Sequence, residues 1–304
     1  MSETLRTTDV TVSGSASAPA SVVAPATVLG SLPASVDALA PVSATDAGLL
    51  AETAAAVREA GAALRERFGA VVPYRTREEL MGALAANDDT ALRILRPRLT
   101  SLRPGAGWVE DELDGGALPS GEWWVVDPAE GNVNHLHALP DWAVTATLVR
   151  DNQPVLTVVH LPLTGETYTA LAGAGAHVDG RRLHVSRSAD LGLSIVGTSQ
   201  ARPDEDEGVV RRVGSSITAM LLDALVVRVS VPATLHLLDV AAGRLDAFWQ
   251  YAGARADLLP GALLVTEAGG RISDAEGRPW TPQSAGFLAA APGVHAQAVS
   301  TLAR

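Results

Sequence analysis

The hydrophobic pattern divides the chain into three stretches. Residues 1–44 have no period. They are Ala, Ser, Thr, Val and Pro in low-complexity order, with Pro19, Pro25, Pro33 and Pro41 blocking helices and few large side chains to anchor a core. This stretch reads as a mobile, disordered leader. From Thr45 a helical period begins, with Leu50, Ala54, Val57, Gly61, Leu64 and Phe68 on one face. Thr45 or Asp46 can cap its start, and Gly69 marks its stop. A second helix is predicted from Asp89 to Leu102, ending before Pro104.

The middle of the chain switches to strand character. Trp123-Trp124-Val125-Val126 is a short apolar run that ends at Asp127-Pro128. Trp142 to Val149 alternates, Asp151-Asn152 makes a turn, and Val155 to His160 and Glu166 to Ala170 continue as strands. With Gly173, Gly175 and Gly180 as punctuation, this predicts an antiparallel meander. From about Leu191 the pattern is mixed. Strands are predicted at Ser194–Gly197, Val226–Val229 and Ala247–Trp249. Helices are predicted at Glu207–Leu222, Thr234–Ala242 and Leu258–Ala268, the first with Val210, Val213, Ile217 and Leu221 along one face. Mixed sheets layered with helices give an α/β class. Residues 45–188 form an N-terminal α+β subdomain in this reading, and residues 189–304 a C-terminal α/β subdomain.

Composition narrows the chemistry. The 304 residues are 47% hydrophobic, enough for a substantial core, and the net charge is −11. Such acidity disfavours nucleic-acid and anionic-membrane surfaces, which attract clustered cations. There is no cysteine and no lysine. Disulfides, thiolate metal sites and Schiff-base mechanisms are therefore excluded. The Ala-, Gly- and Val-rich, Lys-free composition suggests a GC-rich bacterial coding sequence. No apolar run reaches membrane-span length and no signal-peptide pattern opens the chain, so the expected location is cytoplasmic.

Carboxylates recur where predicted strands end or helices begin. Asp127 and Glu130 lie in Asp-Pro-Ala-Glu-Gly, a segment read as a sharp turn that aims both into one space. Gly131 and Asn132 follow and can offer backbone N–H groups to an anion. Upstream stands Glu110-Asp111-Glu112, and downstream Asp257 precedes an apolar helix. Hard divalent cations such as Mg²⁺ take oxygen ligands from several segments, and two such ions can promote phosphate-ester hydrolysis. On spacing alone the signal is weak, and solvated loop carboxylates are the favoured reading.

The segment Trp124-Val-Val-Asp-Pro-Ala-Glu-Gly-Asn-Val-Asn134 resembles the W-[IV]-[IV]-D-P-[IL]-D-G-T-x-N signature of the inositol monophosphatase family. The likeness continues at His137 and Pro140, and through Gly165 to Ala170. It extends over Gly173 to Leu183 and into Val265-Thr-Glu-Ala-Gly-Gly270, and spans roughly residues 46 to 304. The resemblance implies an αβαβα sugar-phosphatase sandwich, a Mg²⁺-dependent phosphatase activity and a homodimer. It also implies roles. Asp127, Glu130 and Asp257 would be metal ligands, and Asp111 a ligand that activates the nucleophilic water. Asp88 would lie near a further metal. Gly131 and Asn132 would hold phosphate, and Ala233 and Gln250 would line the substrate pocket.

Several positions depart from the family pattern. Glu130 stands for Asp and Asp111 for Glu, each moving a carboxylate by over ~1 Å. Asn132 replaces a Thr whose hydroxyl helps place the attacking water, which leaves Asn132 as a weak catalytic assistant. Ala256 replaces a Trp, Val231-Pro232-Ala233 replaces Gly-[ST]-Ala, and Gln250 replaces a substrate-binding Glu. The expected function is a divergent phosphomonoesterase acting on a small phosphorylated metabolite. Two alternatives stay open: a non-hydrolytic cyclase or isomerase of specialised metabolism using the carboxylates as acid and base, or a catalytically dead binding protein. Arg77 is a candidate for charge near Asp88. His135 and His137 form an H-x-H pair weighed for zinc against a structural role, and His236 reads as core. Trp108 and Trp249 are weighed as pocket or core.

Overall fold

The computed structural model describes residues 44–69, 73–110, 117–201, 205–251 and 255–304. The proposed leader, apart from Ala44, and Asp111 lie outside these ranges. The first helix, α1 (Ala44–Arg65), buries Leu49, Ala54, Val57, Ala60 and Leu64, as its period demands. Thr45 and Asp46 lie inside it rather than capping it. The second, α2 (Arg77–Leu102), starts twelve residues before the expected Asp89. Its N-cap is Thr76, whose hydroxyl accepts from the Glu79 N–H at 3.1 Å, while the Glu79 carboxylate accepts from the Arg75 N–H at 2.8 Å. Only Asn87, Ala91, Leu95 and Leu99 of α2 are buried, a stripe with one residue per turn.

A seven-stranded sheet follows: β1 (Gly107–Trp108), β2 (Glu122–Glu130), β3 (Ala143–Arg150), β4 (Gln153–His160), β5 (Thr167–Leu171), β6 (Gly175–Val178) and β7 (Arg181–Arg182), in that spatial order. From β2 onward it is the expected antiparallel meander. Between β2 and β3 lies the five-residue helix α3 (Asn132–Leu136). Asp151 and Asn152, at φ 49° and 66°, make the tight turn between β3 and β4.

The second sheet holds β8 (Ile195–Thr198), β9 (Val226–Val229), β10 (Ala247–Tyr251), β11 (Arg271–Ser273) and β12 (Gly286–Ala290), in the order β11-β12-β10-β8-β9. Its helices are α4 (Glu207–Asp223), α5 (Ala233–Ala241), α6 (Arg255–Glu267) and α7 (His295–Leu302). On α4 the buried face is Val213, Ser216 and Met220. Val210 and Leu221, expected inside, are 48% and 62% exposed.

Five layers result. Helices α1 and α2 cover the outer face of the first sheet, where Trp124, Val126 and Leu148 meet Val57, Leu64 and Leu95. Helices α5 and α6 lie between the sheets and bury Tyr168, Leu237, Phe248 and Phe287. Helices α4 and α7 close the far face around Trp249 and Leu288. This is the αβαβα sandwich expected above. Each large apolar side chain buried this way contributes roughly 1.5–3 kcal/mol, so the layers hold the strand ends that carry the polar site.

Candidate active site

Asp127 and Glu130 are three residues apart on β2, a spacing that in an unbroken strand aims side chains at opposite faces. The pairing with β3 removes that parity. Asp127 stands opposite Thr145 and Glu130 opposite Ala143, so three steps on β2 match two on β3. This β-bulge turns both carboxylates toward the α5–α6 layer. The strand thus runs through Pro128 to Glu130, where a sharp turn was expected. Asp127 Oδ1 accepts from the Ala129 N–H at 2.9 Å, which fixes the bulge locally.

Asp257 enters from α6. It sits in the first turn of that helix, not before it, because α6 begins at Arg255. A carboxylate there meets the positive end of the helix dipole. One oxygen from each of Asp127, Glu130 and Asp257 lies within 4.8 Å of the others, with Asp127 and Glu130 buried. The donor set is oxygen alone, which suits a hard divalent cation such as Mg²⁺ and excludes a thiolate or imidazole site.

Thr234, on α5, was not singled out in the sequence. It is fully buried, and its hydroxyl lies 3.0 Å from Glu130 Oε2 and 2.9 Å from the Asp257 carbonyl oxygen.

Asp88 and Asn132 form a second group. The Asn132 amide donates to Asp88 Oδ1 at 2.8 Å and to the Leu84 carbonyl at 3.1 Å, and its oxygen accepts from Asn87 Nδ2 at 2.8 Å. Both amide hydrogens are thereby engaged, so Asn132 can hold a water only through a remaining lone pair. Asn87 Nδ2 also lies 3.0 Å from His135 Nδ1, and Arg67 donates to Asn87 Oδ1 at 2.9 Å. His135 Nε2 is 3.0 Å from the Leu64 carbonyl, which can only accept. The ring therefore carries its proton on Nε2 and receives the Asn87 hydrogen on Nδ1. Burial lowers the His135 pKa, in keeping with that neutral form. Burial raises the Asp88 carboxyl to a pKa of about 6, against the lowering by the Asn132 amide.

Gly131 joins the two groups. Its φ of 77° is left-handed, and a Cβ would come within 2.6 Å of the Asp141 carbonyl and 3.1 Å of Pro232. The Asn134 amide clamps the same corner by donating to the carbonyls of Asp141 (2.8 Å) and Val231 (2.9 Å). Ala233 follows the cis Val231–Pro232 bond at the start of α5. Gln250 shares the β10 face of Phe248, toward α5 and α6, and its buried Oε1 has no hydrogen-bond partner among the described residues.

Other candidates fall elsewhere. Glu110 is exposed and paired with Arg96, and its neighbour Asp111 lies outside the described residues. Arg77 starts α2, eleven residues or about 16 Å of helix from Asp88. The cation beside this group is instead Arg67. His135 packs edge-on to Trp142 and Phe68, and its ring nitrogens face Leu64 and Asn87 rather than a metal position shared with His137. His236 stacks on Phe248 and bonds to Ser230, as a core histidine should. Trp249 is core, with its N–H on the Ser216 hydroxyl at 2.9 Å. Trp108 is half-buried, under the Arg96 guanidinium.

Layers and site together define an α/β sandwich with an oxygen-rich acidic pocket between its sheets. The chain belongs to the inositol monophosphatase family, whose family model matches residues 47–304. It is similar to an inositol-1-monophosphatase of Rhizobium meliloti (strain 1021), 35% identical over 226 residues that cover 73% of this chain and 84% of that protein. It is also similar to a Nus factor SuhB of Pseudomonas aeruginosa, 33% identical over 187 residues, covering 62% of this chain and 68% of that protein. Among solved structures, the extragenic suppressor protein suhB from Bartonella henselae superposes with a TM-score of 0.72 at 26% identity, covering 84% of this chain and 98% of that one. Among the described residues no helix is long and apolar enough to cross a membrane.

Proposed function

We propose that this protein is a divergent Mg²⁺-dependent phosphomonoesterase acting on a small phosphorylated metabolite. The observation that carries the reading is the convergence of Asp127, Glu130 and Asp257 within 4.8 Å from two separate elements. These three would hold the cation. A bound Mg²⁺ neutralises such a cluster, polarises phosphoryl oxygens and lowers the pKa of water. The rest falls to the chain. Gly131 and Asn132, at the start of α3, have N–H groups with no acceptor one turn earlier in that helix, and these would bind the phosphate. Asp111 would take the proton of the attacking water as its oxygen bonds to phosphorus and the ester P–O bond breaks, with the leaving alkoxide protonated from solvent. Gln250 Oε1 would accept from a substrate hydroxyl, which removes the cost of an unpartnered buried acceptor.

The likeness to phosphatases and the oxygen-only cluster support this reading. The engaged amide of Asn132 favours a second one, a protein that binds a ligand without turnover. The two separate in one experiment: phosphate release from a panel of phosphomonoesters as Mg²⁺ is titrated. The first reading expects Mg²⁺-dependent release that falls at least about 10³-fold in Asp127→Asn. Release that survives chelator, or none on any substrate with binding intact, overturns it. We also infer a homodimer. Leu222, Leu225, Val226 and Val229 are 78%, 61%, 44% and 50% exposed around the β9 sheet edge, the face a second copy would cover.

A further inference from the structure

We propose that Thr234 is a positioning residue matched to Glu130: its hydroxyl sets the longer carboxylate and ties it to the α6 turn that carries Asp257. The proposal rests on the cation-site reading of the cluster and adds a residue to it. Thr234 is fully buried on a largely apolar helix, where a hydroxyl must find an acceptor. Its one hydrogen is shared between two acceptors about equally close, Glu130 Oε2 at 3.0 Å and the Asp257 carbonyl at 2.9 Å. One side chain on α5 thereby touches the end of β2 and the start of α6, the two elements that supply the cluster.

The chemistry explains why the pair belongs together. A glutamate carboxylate has one more free torsion than an aspartate, and ordering it costs more side-chain entropy. A hydroxyl on Oε2 removes that freedom. An aspartate at this position would fall short of the hydroxyl by over ~1 Å and leave it with the Asp257 carbonyl alone. The tether therefore serves a glutamate and does nothing for an aspartate. Partners that hydrogen-bond to metal-ligating carboxylates typically change metal affinity about 10- to 100-fold when removed.

The test is a Mn²⁺ titration of the full chain, reading free Mn²⁺ by electron paramagnetic resonance, so that no catalysis is needed. Thr234→Val, nearly the same size, should raise the Mn²⁺ Kd by about tenfold or more. Thr234→Ser, which keeps the hydroxyl, should stay near wild type. In a Glu130→Asp background Thr234→Val should add almost nothing, so the two losses should not multiply. Melting curves establish that each variant is folded, with Thr234→Ala replacing the valine variant if that one has no transition. Wild-type affinity in both hydroxyl-free variants, or losses that multiply in the double variant, would overturn the pairing alone. A wild-type chain that binds no Mn²⁺ would sink both the pairing and the cation site beneath it.

Discussion

The two halves of the site lie on either side of Gly131 and are built on opposite principles. In the Asp127–Glu130–Asp257 cluster, groups of like charge are drawn together from β2 and α6. In the Asp88–Asn132–Asn87–His135 network, donors and acceptors alternate, so the side-chain amide hydrogens of Asn132 and Asn87 meet acceptors. A cluster of the first kind is what the proposed cation site rests on. A network of the second kind is a fixture that joins α1, α2 and α3. The contrast teaches that acidity around this corner is not one feature: Asp88 is hydrogen-bonded to the Asn132 amide, whereas the three clustered carboxylates are the receptor half of the proposal.

The largest expected effect tests the receptor half. A ligand that binds only the folded state raises the melting temperature. Mg²⁺ should therefore stabilise the wild-type chain, and Asp257→Asn should abolish that stabilisation together with phosphate release, a loss of about 10³-fold or more. Calorimetric melting with Mg²⁺ or with chelator reads this directly. An Asp257→Asn chain that Mg²⁺ still stabilises fully would dissolve the distinction between the halves.

A smaller effect of opposite kind is expected from the fixture. Asn132→Ala strips partners from Asp88, the Leu84 carbonyl and Asn87 at once. Leaving buried or half-buried polar groups unpaired costs roughly 1–3 kcal/mol, which lowers the melting temperature by several degrees in a chain of this size. The Mg²⁺-induced rise should persist in this variant. Its disappearance would show that the network is part of the cation site after all.

What could be read in advance divides along physical lines. The Trp123–Val126 strand was legible as a short apolar run, and the meander because large apolar side chains alternate with small or polar ones and its turns use Asp-Asn and Gly. The first half of α2 was not, because from Arg77 to Asp88 only Asn87 is buried and only the Thr76-to-Glu79 capping pair marks its start. The clustered carboxylates could be named through the family resemblance, but not the way they meet. Asp-Pro-Ala-Glu-Gly looks like a turn, and only the pairing with β3 reveals a bulge that puts both acids on one face. Thr234 left no local trace. A lone threonine on an apolar helix is ordinary, and its partner Glu130 is 104 residues away in the chain. Asn87 was hidden for the same reason, and His135 was noticed only as half of an H-x-H pair, since the bond that joins them spans 48 residues.

The smallest expected effect concerns protons and belongs to the fixture. His135 accepts the Asn87 hydrogen on Nδ1 while Nε2 donates to Leu64, so adding a proton to Nδ1 would set donor against donor. Burial holds its folded pKa below the ordinary value of about 6.5. The unfolded chain therefore takes up the proton first. The stability His135 contributes is present above pH ~6.5 and is lost as pH falls from there toward the lower folded value. His160, His236 and His295 are shifted the same way by burial and share in the acid sensitivity, so one ring accounts for only part of it. In chelator, lowering the pH from about 7.5 to 5.5 should lower the melting temperature. His135→Gln, which bonds without titrating, should reduce that drop by about 2 °C. The Mn²⁺ affinity at pH 7.5 should be unchanged in the same variant, because the ring bonds to the network and not to the cluster. An unaltered pH slope would show that His135 is packed rather than wired into the network. A loss of Mn²⁺ affinity would show that the fixture reaches the receptor.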